Sequence, residues 1–434
     1  MPLLPETVRR IDEITARAQA EGRVPSIALG VVRDRAVLHF AGAGVQPRPD
    51  PKTQYRIGSI TKTITATLVM QLRDEGFLTL DDQLHRHLPG TPVGGVTLRQ
   101  LLGHVSGLQR EPDGPWWERT TGGSVGDLLA GLTPEKLSGS PNRRFRYSNL
   151  GYGLLGAVLE RVTGQGWTEL AGKRVLDPLG MKRTTCAPVE PYARGHVVHA
   201  LDSALHEEPR PDTGAMAPAG QLWSTVTDMA KWAAVLADPA PAVLSRETVD
   251  EMCAPVAISD LETWTEGHGL GPQLFRAGER VYAGHGGSMP GYVSHLAVHR
   301  RSRMGVIVFA NAYGLHGTSI KKISLTALTA ALDGEPEPVE PWRPPAEPHG
   351  EAAGIQGRWW WMGREYSIDP DADGLLMTGP DHRTRFTAET PDRWRGVSGF
   401  NEGEILRIER SPTGEVTHLN IATFVFHRNP RHPA

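Results

Sequence analysis

The sequence predicts an α+β fold, with an antiparallel sheet flanked by helices, a helical insertion and a small carboxy-terminal β-barrel or β-sandwich. Paired β-rich runs occur near both ends of the first 334 residues, and a region rich in turns and short helices, roughly 80 to 275, separates them. After a proline-rich stretch, short aromatic or β-branched runs alternate with turn residues. The predicted organisation is a first domain over 1–334, a linker over 335–350 and a barrel over 351–434.

The first elements are a helix, a hairpin and a second helix. The amino-terminal stretch "MPLLPETVRRIDEITARAQAEGRVPS" carries charges where a signal peptide needs an apolar run, so it predicts a helix. The runs "SIALGVV" and "AVLHFAG", separated by three polar residues, predict a hairpin. Apolar residues then recur every four positions, so a helix is expected from about Ser59 to Glu75, before Gly76.

The later elements of the first domain are predicted in the same way. The stretches "SNLGYGLLGAVLERVTG" and "STVTDMAKWAAVLAD" indicate helices of the insertion. The runs "YVSHLAVHR" and "MGVIVFANA" predict a second hairpin, and "TSIKKISLTALTAALDG" an amphipathic helix behind it. Two such hairpins imply one sheet built from both ends of the domain. The stretch "EPEPVEPWRPPAEPHG" has no periodicity and predicts a stiff linker.

Composition narrows the class of partner. Lys and Arg number 46 against 49 Asp and Glu, a net charge of -3 that favours a small substrate over nucleic acid or a lipid surface. Only Cys186 and Cys253 are cysteines, so a disulfide framework is not expected. No window approaches the roughly 20 apolar residues that span a bilayer, and we expect a cytoplasmic protein. The histidine pairs in "HRH" and "HVVH" lack ligands at a known spacing, so neither metal nor cofactor is expected.

Ser59 and Lys62, in "RIGSITKTITATLVMQL", are the first candidates for chemistry. Residues three apart on a helix share a face, and a serine hydroxyl becomes a nucleophile when a base is within hydrogen-bond reach. Burial of Lys62 would disfavour its ammonium form and let it, alone or with a second group, withdraw the serine proton. A helix amino terminus also presents a free N–H to an oxyanion. The alternative is that Ser59 only caps the helix, since serine is a favoured N-cap.

Tyr147 and Asn149, in "FRYSNLGYG", are the second candidates. On an extended or tightly turned loop, residues two apart point the same way, so both side chains would face one cleft. A phenolate near cations can act as general base, and the asparagine can hold a carbonyl or the lysine. The alternative is an ordinary helix start, with Ser148 as its cap.

The third candidate segment is "AGHGGSMPGY", interpreted as a loop before the strand "YVSHLAVHR". His285 is a titratable side chain, and Gly286 and Gly287 beside it would let a ligand approach the backbone closely. Trp116 and Trp117, in "EPDGPWWER", are candidates for a lid that contacts substrate, with packing of the loop as the alternative.

Together and in this order, the three segments resemble the serine β-lactamase and penicillin-binding family, whose motifs are S-x-x-K, Y-x-N and K-T-G or H-x-G. The stretches "EGFLTLDDQLHRHLPG", "VTLRQLLGHVSGL", "DPLGMKRTT" and "MAPAGQLWSTVTDMAKW" extend the resemblance from about residue 5 to 333. It implies a β-lactamase/DD-peptidase-like fold and an acyl-enzyme mechanism. The branches concerned are class C β-lactamases, esterases, D-aminopeptidases and penicillin-binding-type thioesterases.

The resemblance also implies the roles of individual residues. Ser59 would attack a carbonyl, Lys62 and Tyr147 would share the proton transfers, and Asn149 would position the substrate and the lysine. The residues alone do not decide whether Lys62 or Tyr147 is the base.

The remaining roles concern the segment with the H-x-G motif. His285 stands where many relatives carry the lysine of K-T-G, and a protonated imidazole there would orient a substrate carboxylate. The backbone N–H groups of Ser59 and Ser288 would form the oxyanion hole, with Gly286 and Gly287 beside the substrate.

The H-x-G form, and the lack of a recognisable glutamate loop for deacylation, resemble the esterase and peptide-handling branches more than dedicated β-lactamases. The expected function is therefore a serine hydrolase or acyltransferase that forms an acyl-Ser59 intermediate from an ester or peptide-like amide. The alternative is a thioesterase that cyclises nonribosomal peptides presented as peptidyl thioesters on a carrier protein. A true β-lactamase and a non-catalytic sensor are further alternatives, and the sequence does not indicate an oligomeric state.

The carboxy-terminal part resembles the lipocalin-like barrel appended to some D-aminopeptidases and penicillin-binding-type thioesterases. Such a barrel would supply a wall that recognises one end of a peptide. The alternative is that its aromatic residues, which include Trp359, Trp360, Trp361 and Phe424, fill the barrel or its interface.

Overall fold

The computed structural model describes residues 2–44, 48–336, 354–371 and 374–430. The contacts divide the chain into two compact units, Met1–Glu337 and Pro338–Ala434, and each is described by itself. From residue 337 onward, the linker predicted over 335–350 lies outside the described residues. No helix within the described ranges is long and apolar enough to cross a membrane.

The helices of the first unit flank its sheet and form the insertion. In chain order they are α1 (Pro5–Gly22), α2 (Thr61–Asp74), α3 (Leu84–His87), α4 (Leu98–Leu102), α5 (Val125–Ala130), α6 (Asn149–Thr163), α7 (Trp167–Ala171), α8 (Ala217–Gly220), α9 (Val226–Ala237), α10 (Arg246–Met252) and α11 (Ile320–Gly334). Short 3-10 turns lie at Gly58–Ile60, Pro134–Lys136 and Gly214–Met216, and a π-helical turn at Gly172–Leu176.

The strands of the first unit are β1 (Ser26–Arg33), β2 (Ala36–Gly44), β3 (Tyr55–Arg56), β4 (His196–Val198), β5 (Leu205–Glu207), β6 (Trp223–Ser224), β7 (Ala257–Ile258), β8 (Glu266–His268), β9 (Gln273–Ala277), β10 (Arg280–Met289), β11 (Tyr292–His299) and β12 (Met304–Ala310). Eight of them form one antiparallel sheet in the order β2-β1-β12-β11-β10-β9-β8-β7. Two two-stranded pairs, β3 with β6 and β4 with β5, lie outside it.

The sheet joins the two ends of the unit, which confirms the predicted fold class. Strand β1 pairs with β12, so the first hairpin adjoins the second. Along β12, Val306 and Val308 face a core shared with α1 and α11, whereas Ile307 and Phe309 face the larger core of the insertion helices. This alternation follows from the period of two in a strand. The sheet is therefore covered by helices on both faces.

Helix α2 runs through the centre of the larger core, and every residue from Thr61 to Leu72 is buried. The threonine hydroxyls bond to carbonyls: Thr63 donates to Ile60 at 2.7 Å and Thr65 to Pro218 at 2.8 Å. Because these hydroxyls form hydrogen bonds inside the core, they can be buried away from water. The helix begins two residues later than the predicted Ser59, because a separate 3-10 turn precedes it.

The segment interpreted as a loop around His285 is instead strand β10. Because glycine has a low propensity for β-strands, this strand was not evident from the sequence. The structure shows why glycine is needed: a Cβ on Gly284 would lie 1.9 Å from the Leu296 oxygen, and one on Gly287 would lie 2.0 Å from the Ile57 oxygen. The strand is close-packed against its neighbours at both positions.

The second unit is an eight-stranded, nearly closed antiparallel barrel. Its strands are β13 (Gly357–Trp361), β14 (Arg364–Asp371), β15 (Gly374–Thr378), β16 (Arg383–Thr390), β17 (Arg393–Gly399), β18 (Ile405–Arg410), β19 (Val416–Ile421) and β20 (Phe424–Phe426). Each strand pairs with the next. The backbone N–H of Trp360 donates to the His427 carbonyl oxygen at 2.8 Å, and the N–H of His427 donates to the Trp360 carbonyl oxygen at 2.9 Å, so the first strand of the sheet meets the end of the last.

Side chains fill the barrel, with Trp359, Phe386 and Trp394 completely buried or nearly so. Phe424 is instead partly exposed and lies edge-on to Trp361. Of the aromatic residues considered, Trp359 therefore fills the barrel and Phe424 does not, and a role of Phe424 at the barrel's interface stays a prediction.

One end of the barrel is held by Arg428. Its guanidinium lies 4.2 Å from the centroid of the Trp359 ring. It donates hydrogen bonds to the carbonyl oxygens of Gly354, Gln356 and Arg358, at 2.7, 2.7 and 3.1 Å. One side chain thus ties the segment before β13 to the chain after β20.

We expect Arg428→Ala to loosen the barrel by roughly 2 kcal/mol, because it removes the ring contact and three charge-assisted hydrogen bonds. Hydrogen–deuterium exchange of the full chain should be about 30-fold faster at β13 and β20 and unchanged at β1 and β12. Arg407→Ala, at an exposed position of the same barrel, is the control. Equal exchange in both variants would contradict this role.

Candidate active site

Ser59 and Lys62 are in direct contact. The Lys62 side chain is completely buried, and its Nζ donates to Ser59 Oγ at 3.0 Å and to the Ala219 oxygen at 2.6 Å. The N-cap residue of α2 is Ile60, and no side chain caps this helix. The capping role considered for Ser59 is therefore wrong, since its hydroxyl meets the lysine instead of the helix backbone.

Burial governs the charge of Lys62. It lowers the pKa of the amine to about 7, against an opposing attraction from the carboxylates of Glu111 and Glu118, while Arg110 lowers the pKa further. A substantial fraction of the amine is therefore neutral at pH 7. A neutral amine within 3.0 Å of a hydroxyl is placed to accept its proton.

Tyr147 is a second neighbour of Ser59, whose side chain lowers the pKa of the phenol by hydrogen bonding. The Nζ of Lys62 lies 5.0 Å from the centroid of the Tyr147 ring. Burial raises the pKa of Tyr147 above its usual value despite the bond to Ser59 and the nearby Arg110 charge. The phenolate considered from the sequence is thus disfavoured, and the group beside Ser59 is a neutral phenol.

Ser148, between the two candidates of the second motif, caps α6 by accepting from the N–H of Gly151 at 2.9 Å. The predicted helix start, with Ser148 as its cap, is therefore confirmed, and a shared cleft for Tyr147 and Asn149 stays a prediction. The cap sets where the helix begins, and Tyr147 and Asn149 stand on either side of it.

Asn149 is held by an acid that the sequence did not single out. Its Nδ2 donates to both carboxylate oxygens of Glu111, at 2.9 and 3.0 Å, and Trp117 Nε1 donates to the same carboxylate at 2.8 Å. The Oδ1 of Asn149 is buried with no partner among the described residues. The amide therefore presents a free acceptor. Glu111 begins the stretch "EPDGPWWER", where only the tryptophans had suggested a role.

His285 is buried on β10, and its ring contacts the site as a neutral group. Its Nδ1–H donates to the Gly286 oxygen, because a carbonyl can only accept. The Nε2 atom has no partner among the described residues. Burial, and after it the charge of Lys62, hold the pKa of His285 well below its ordinary value. The protonated imidazole expected to orient a substrate carboxylate is therefore disfavoured.

Strand β10 and the turn that carries Ser59 meet backbone to backbone. Gly286 N–H donates to Gln273 Oε1 at 2.8 Å, and the N–H of Ser288, two residues on, points to the same edge of the strand. A Cβ on Gly58, whose φ is +51°, would lie 2.6 Å from the Ser288 nitrogen. This contact places the backbone of Ser288 beside the residue that precedes Ser59, as an oxyanion hole built from these two N–H groups requires.

The two tryptophans occupy different surroundings. Trp117 is buried, and a Cβ on Gly220 would lie 3.5 Å from its ring and 3.7 Å from the carbonyl carbon of Gly58. Trp116 is exposed and lies edge-on to Tyr313. Trp117 therefore packs beside the candidate site, whereas the exposed Trp116 donates through Nε1 to Glu118, one of the two carboxylates that act on Lys62, at 3.0 Å.

The family follows from comparison with known proteins. Residues 11–331 match the family model described as Beta-lactamase, and residues 348–428 match a Domain of unknown function (DUF7586). Since the first match spans most of the chain, the protein belongs to the beta-lactamase family.

Individual relatives agree with this assignment. Protein flp of Staphylococcus aureus (strain MW2) is 22% identical over 322 residues, and the match covers 70% of this chain but only 63% of that protein. The D-stereospecific amidohydrolase from Streptomyces sp. is 26% identical with a TM-score of 0.64, covering 74% of this chain and 98% of its own. SurE is 25% identical with a TM-score of 0.63, covering 98% and 99%. The β-lactamase-like fold is confirmed, and the hydrolases among these relatives support an enzyme.

Gly58→Ala should separate the Ser59 turn from β10, because the added Cβ would meet the Ser288 backbone. We expect at least a 100-fold loss of reaction with a small chromogenic ester, the scale of losing an oxyanion donor. Gly278→Ala is the matched control, because its φ of +60° is similar and no atom lies within 4 Å of the new Cβ. Comparable losses in both variants would point to backbone strain instead of the contact with β10.

The rate of ester cleavage should rise with pH and level off above about 7, because the amine of Lys62 accepts a proton only when it is neutral. Neighbouring charges should shift this rising limb of the pH–rate profile in opposite directions. Glu111→Gln removes an attraction that raises the pKa of Lys62, so the limb should shift to lower pH; Arg110→Gln should shift it to higher pH. Initial rates from pH 5 to 9 check this, and shifts of the same sign would contradict it.

Proposed function

We propose that the protein is a serine hydrolase that forms an acyl-Ser59 intermediate from an ester or a peptide-like amide. The observation that carries the proposal is the contact of Ser59 Oγ with the buried Lys62 amine at 3.0 Å, with the Tyr147 phenol as a second neighbour of the same hydroxyl. A nucleophile paired with a base whose pKa is near the working pH is the arrangement that acyl transfer needs.

The neutral Lys62 amine takes the proton of Ser59 as Oγ attacks the substrate carbonyl. The carbonyl oxygen then carries negative charge, which the N–H groups of Ser59 and Ser288 stabilise. As the intermediate collapses, the Tyr147 phenol protonates the leaving group and recovers a proton from the Lys62 ammonium. Water or an amine finally attacks the acyl-Ser59 carbonyl and regenerates the free hydroxyl.

The polar groups around Ser59 suit a substrate with N–H donors. Asn149 Oδ1 and His285 Nε2 are buried acceptors with no partner among the described residues. A buried acceptor that stays unpaired is costly, so a ligand that supplies an N–H to either atom gains affinity. Because His285 is neutral, it does not supply the fixed positive charge that would attract a free carboxylate.

We further propose that the acyl residue has the D configuration. The likeness to the D-stereospecific amidohydrolase, at 26% identity, supports this preference. SurE has been solved with D-Leu, and that structure is 26% identical over 98% of this chain. Matched D and L substrates would test the preference directly.

The second candidate is a thioesterase that accepts a peptidyl thioester from a carrier protein and joins the acyl group to an amine. It is favoured by the resemblance of the sequence, in both the first domain and the barrel, to penicillin-binding-type thioesterases. The same acyl-Ser59 intermediate forms in both reactions. They differ in whether water or an amine resolves it.

Incubation with a chromogenic ester, a D-residue amide, a β-lactam and a peptidyl thioester should give an intact-mass adduct on the wild-type chain and none on Ser59→Ala. The reason is that the alanine side chain has no nucleophilic oxygen. Thr61→Ala, which removes a hydroxyl two residues along the chain, is a labelling control. Equal labelling of wild type and Ser59→Ala would overturn the mechanism.

Product analysis on the same panel decides between the two candidates. Linear acid or released amine indicates hydrolysis, whereas a cyclic or amine-extended peptide indicates acyl transfer to an amine. The D and L forms of each substrate, compared by kcat/KM, report the configuration preferred at the acyl residue.

A further inference from the structure

His104 lies behind the Tyr147 side chain, just after α4. Its imidazole is buried and stacks on the Tyr147 ring, with centroids 4.3 Å apart and an interplanar angle of 28°. This stack limits rotation of the phenol ring. The bond between Tyr147 and Ser59 depends on where that ring directs its hydroxyl.

His104 also holds the backbone on both sides of Tyr147. Its carbonyl oxygen accepts from the N–H of Arg146 at 2.8 Å. Its ring Nδ1 accepts from the N–H of Ser148 at 3.1 Å. One residue therefore bonds to the residues before and after Tyr147 and contacts the ring between them.

The second of these bonds requires a particular form of His104. Because Nδ1 accepts a hydrogen bond from Ser148, it must carry a lone pair, so the neutral ring has its hydrogen on Nε2. Burial and the nearby charges of Lys62 and Arg110 hold the pKa of His104 well below its ordinary value. The Nδ1 atom of His104 therefore remains a hydrogen-bond acceptor over the pH range in which Lys62 gains or loses its proton.

Holding His104 in this position costs stability. Its φ of +57° lies in the left-handed region, which only a few per cent of residues other than glycine adopt, although asparagine, aspartate and histidine do so more often than the rest. Its Nε2–H is buried and has no partner in the described part of the chain. Strained backbone and unpaired polar groups persist where the surrounding structure uses them, and they concentrate at active sites.

We propose that His104 is a positioning residue for Tyr147, which sets the phenol hydroxyl against Ser59 through the ring stack and the two backbone bonds. This inference rests on the acyl-Ser59 chemistry proposed above. His104 acts through Tyr147 and needs no contact with the substrate. Removing it should therefore slow acyl transfer and leave substrate binding nearly unchanged.

The test compares His104→Gly with His104→Asn. Glycine and asparagine both tolerate a positive φ, so backbone strain is similar in the two variants. Asparagine can still accept from the Ser148 N–H through its side-chain oxygen, whereas glycine cannot. Single-turnover acylation by a chromogenic ester should be about 100-fold slower in His104→Gly and about tenfold slower in His104→Asn, with KM within about threefold of wild type.

A double-mutant cycle separates positioning from a general effect on the fold. In a Tyr147→Phe background, adding His104→Gly should change the acylation rate by less than about threefold, because the hydroxyl it positions is already gone. A full 100-fold loss in that background would overturn the proposal. So would wild-type rates in His104→Gly.

A measurement without substrate keeps the two proposals distinguishable. In protein labelled with ¹³Cζ-tyrosine, the Tyr147 signal, assigned from Tyr147→Phe, should move in His104→Gly and return partway in His104→Asn. An unmoved signal would overturn the positioning role even if Ser59 is acylated. A wild-type chain that forms no adduct with any substrate would reject the acyl-Ser59 proposal alone, since the NMR comparison is independent of turnover.

Discussion

The candidate site depends on one energetically unfavourable feature: the Lys62 amine is completely removed from water. Burial along α2 makes the charged form costly, so the pKa falls to about 7, and the amine meets a serine hydroxyl at 3.0 Å. Two carboxylates nearby, Glu111 and Glu118, oppose the fall and keep it moderate. The balance between desolvation and attraction, more than either alone, leaves Lys62 able to take and return a proton near pH 7.

The ring side chains near Ser59 are neutral, and burial is again the reason. The pKa of Tyr147 is raised and those of His104 and His285 are lowered, so none of them carries charge at pH 7. The charges that act at Ser59 are therefore those of Lys62 and of its neighbours Glu111, Glu118 and Arg110. Asn149 Oδ1 and His285 Nε2 remain acceptors without a partner among the described residues, and under the proposed function they would accept from the N–H groups of a peptide-like substrate.

Glycine residues allow the turn that carries Ser59 and strand β10 to approach each other closely. Gly58 and Gly287 lie where a Cβ would collide with backbone atoms of the opposite segment, so the Ser59 turn and β10 approach more closely than side chains would allow. Gly287, together with Gly284 and Gly286 in the same strand, lowers the strand propensity of β10, and this is why β10 was expected to be a loop. A local preference was overridden by pairing with β11 and by packing against the turn.

The period and spacing of residues in the sequence determined the two hairpins, α2, α11 and the run of barrel strands, because these signals are local. Local motifs likewise identified the candidate residues Ser59, Lys62, Tyr147 and Asn149. The tertiary structure alone decided which groups are buried together. Glu111 reaches Asn149 across 38 positions, and Ser148 reaches His104 across 44. No local pattern encodes such contacts or the pKa values that follow from them, since desolvation depends on everything packed around a group.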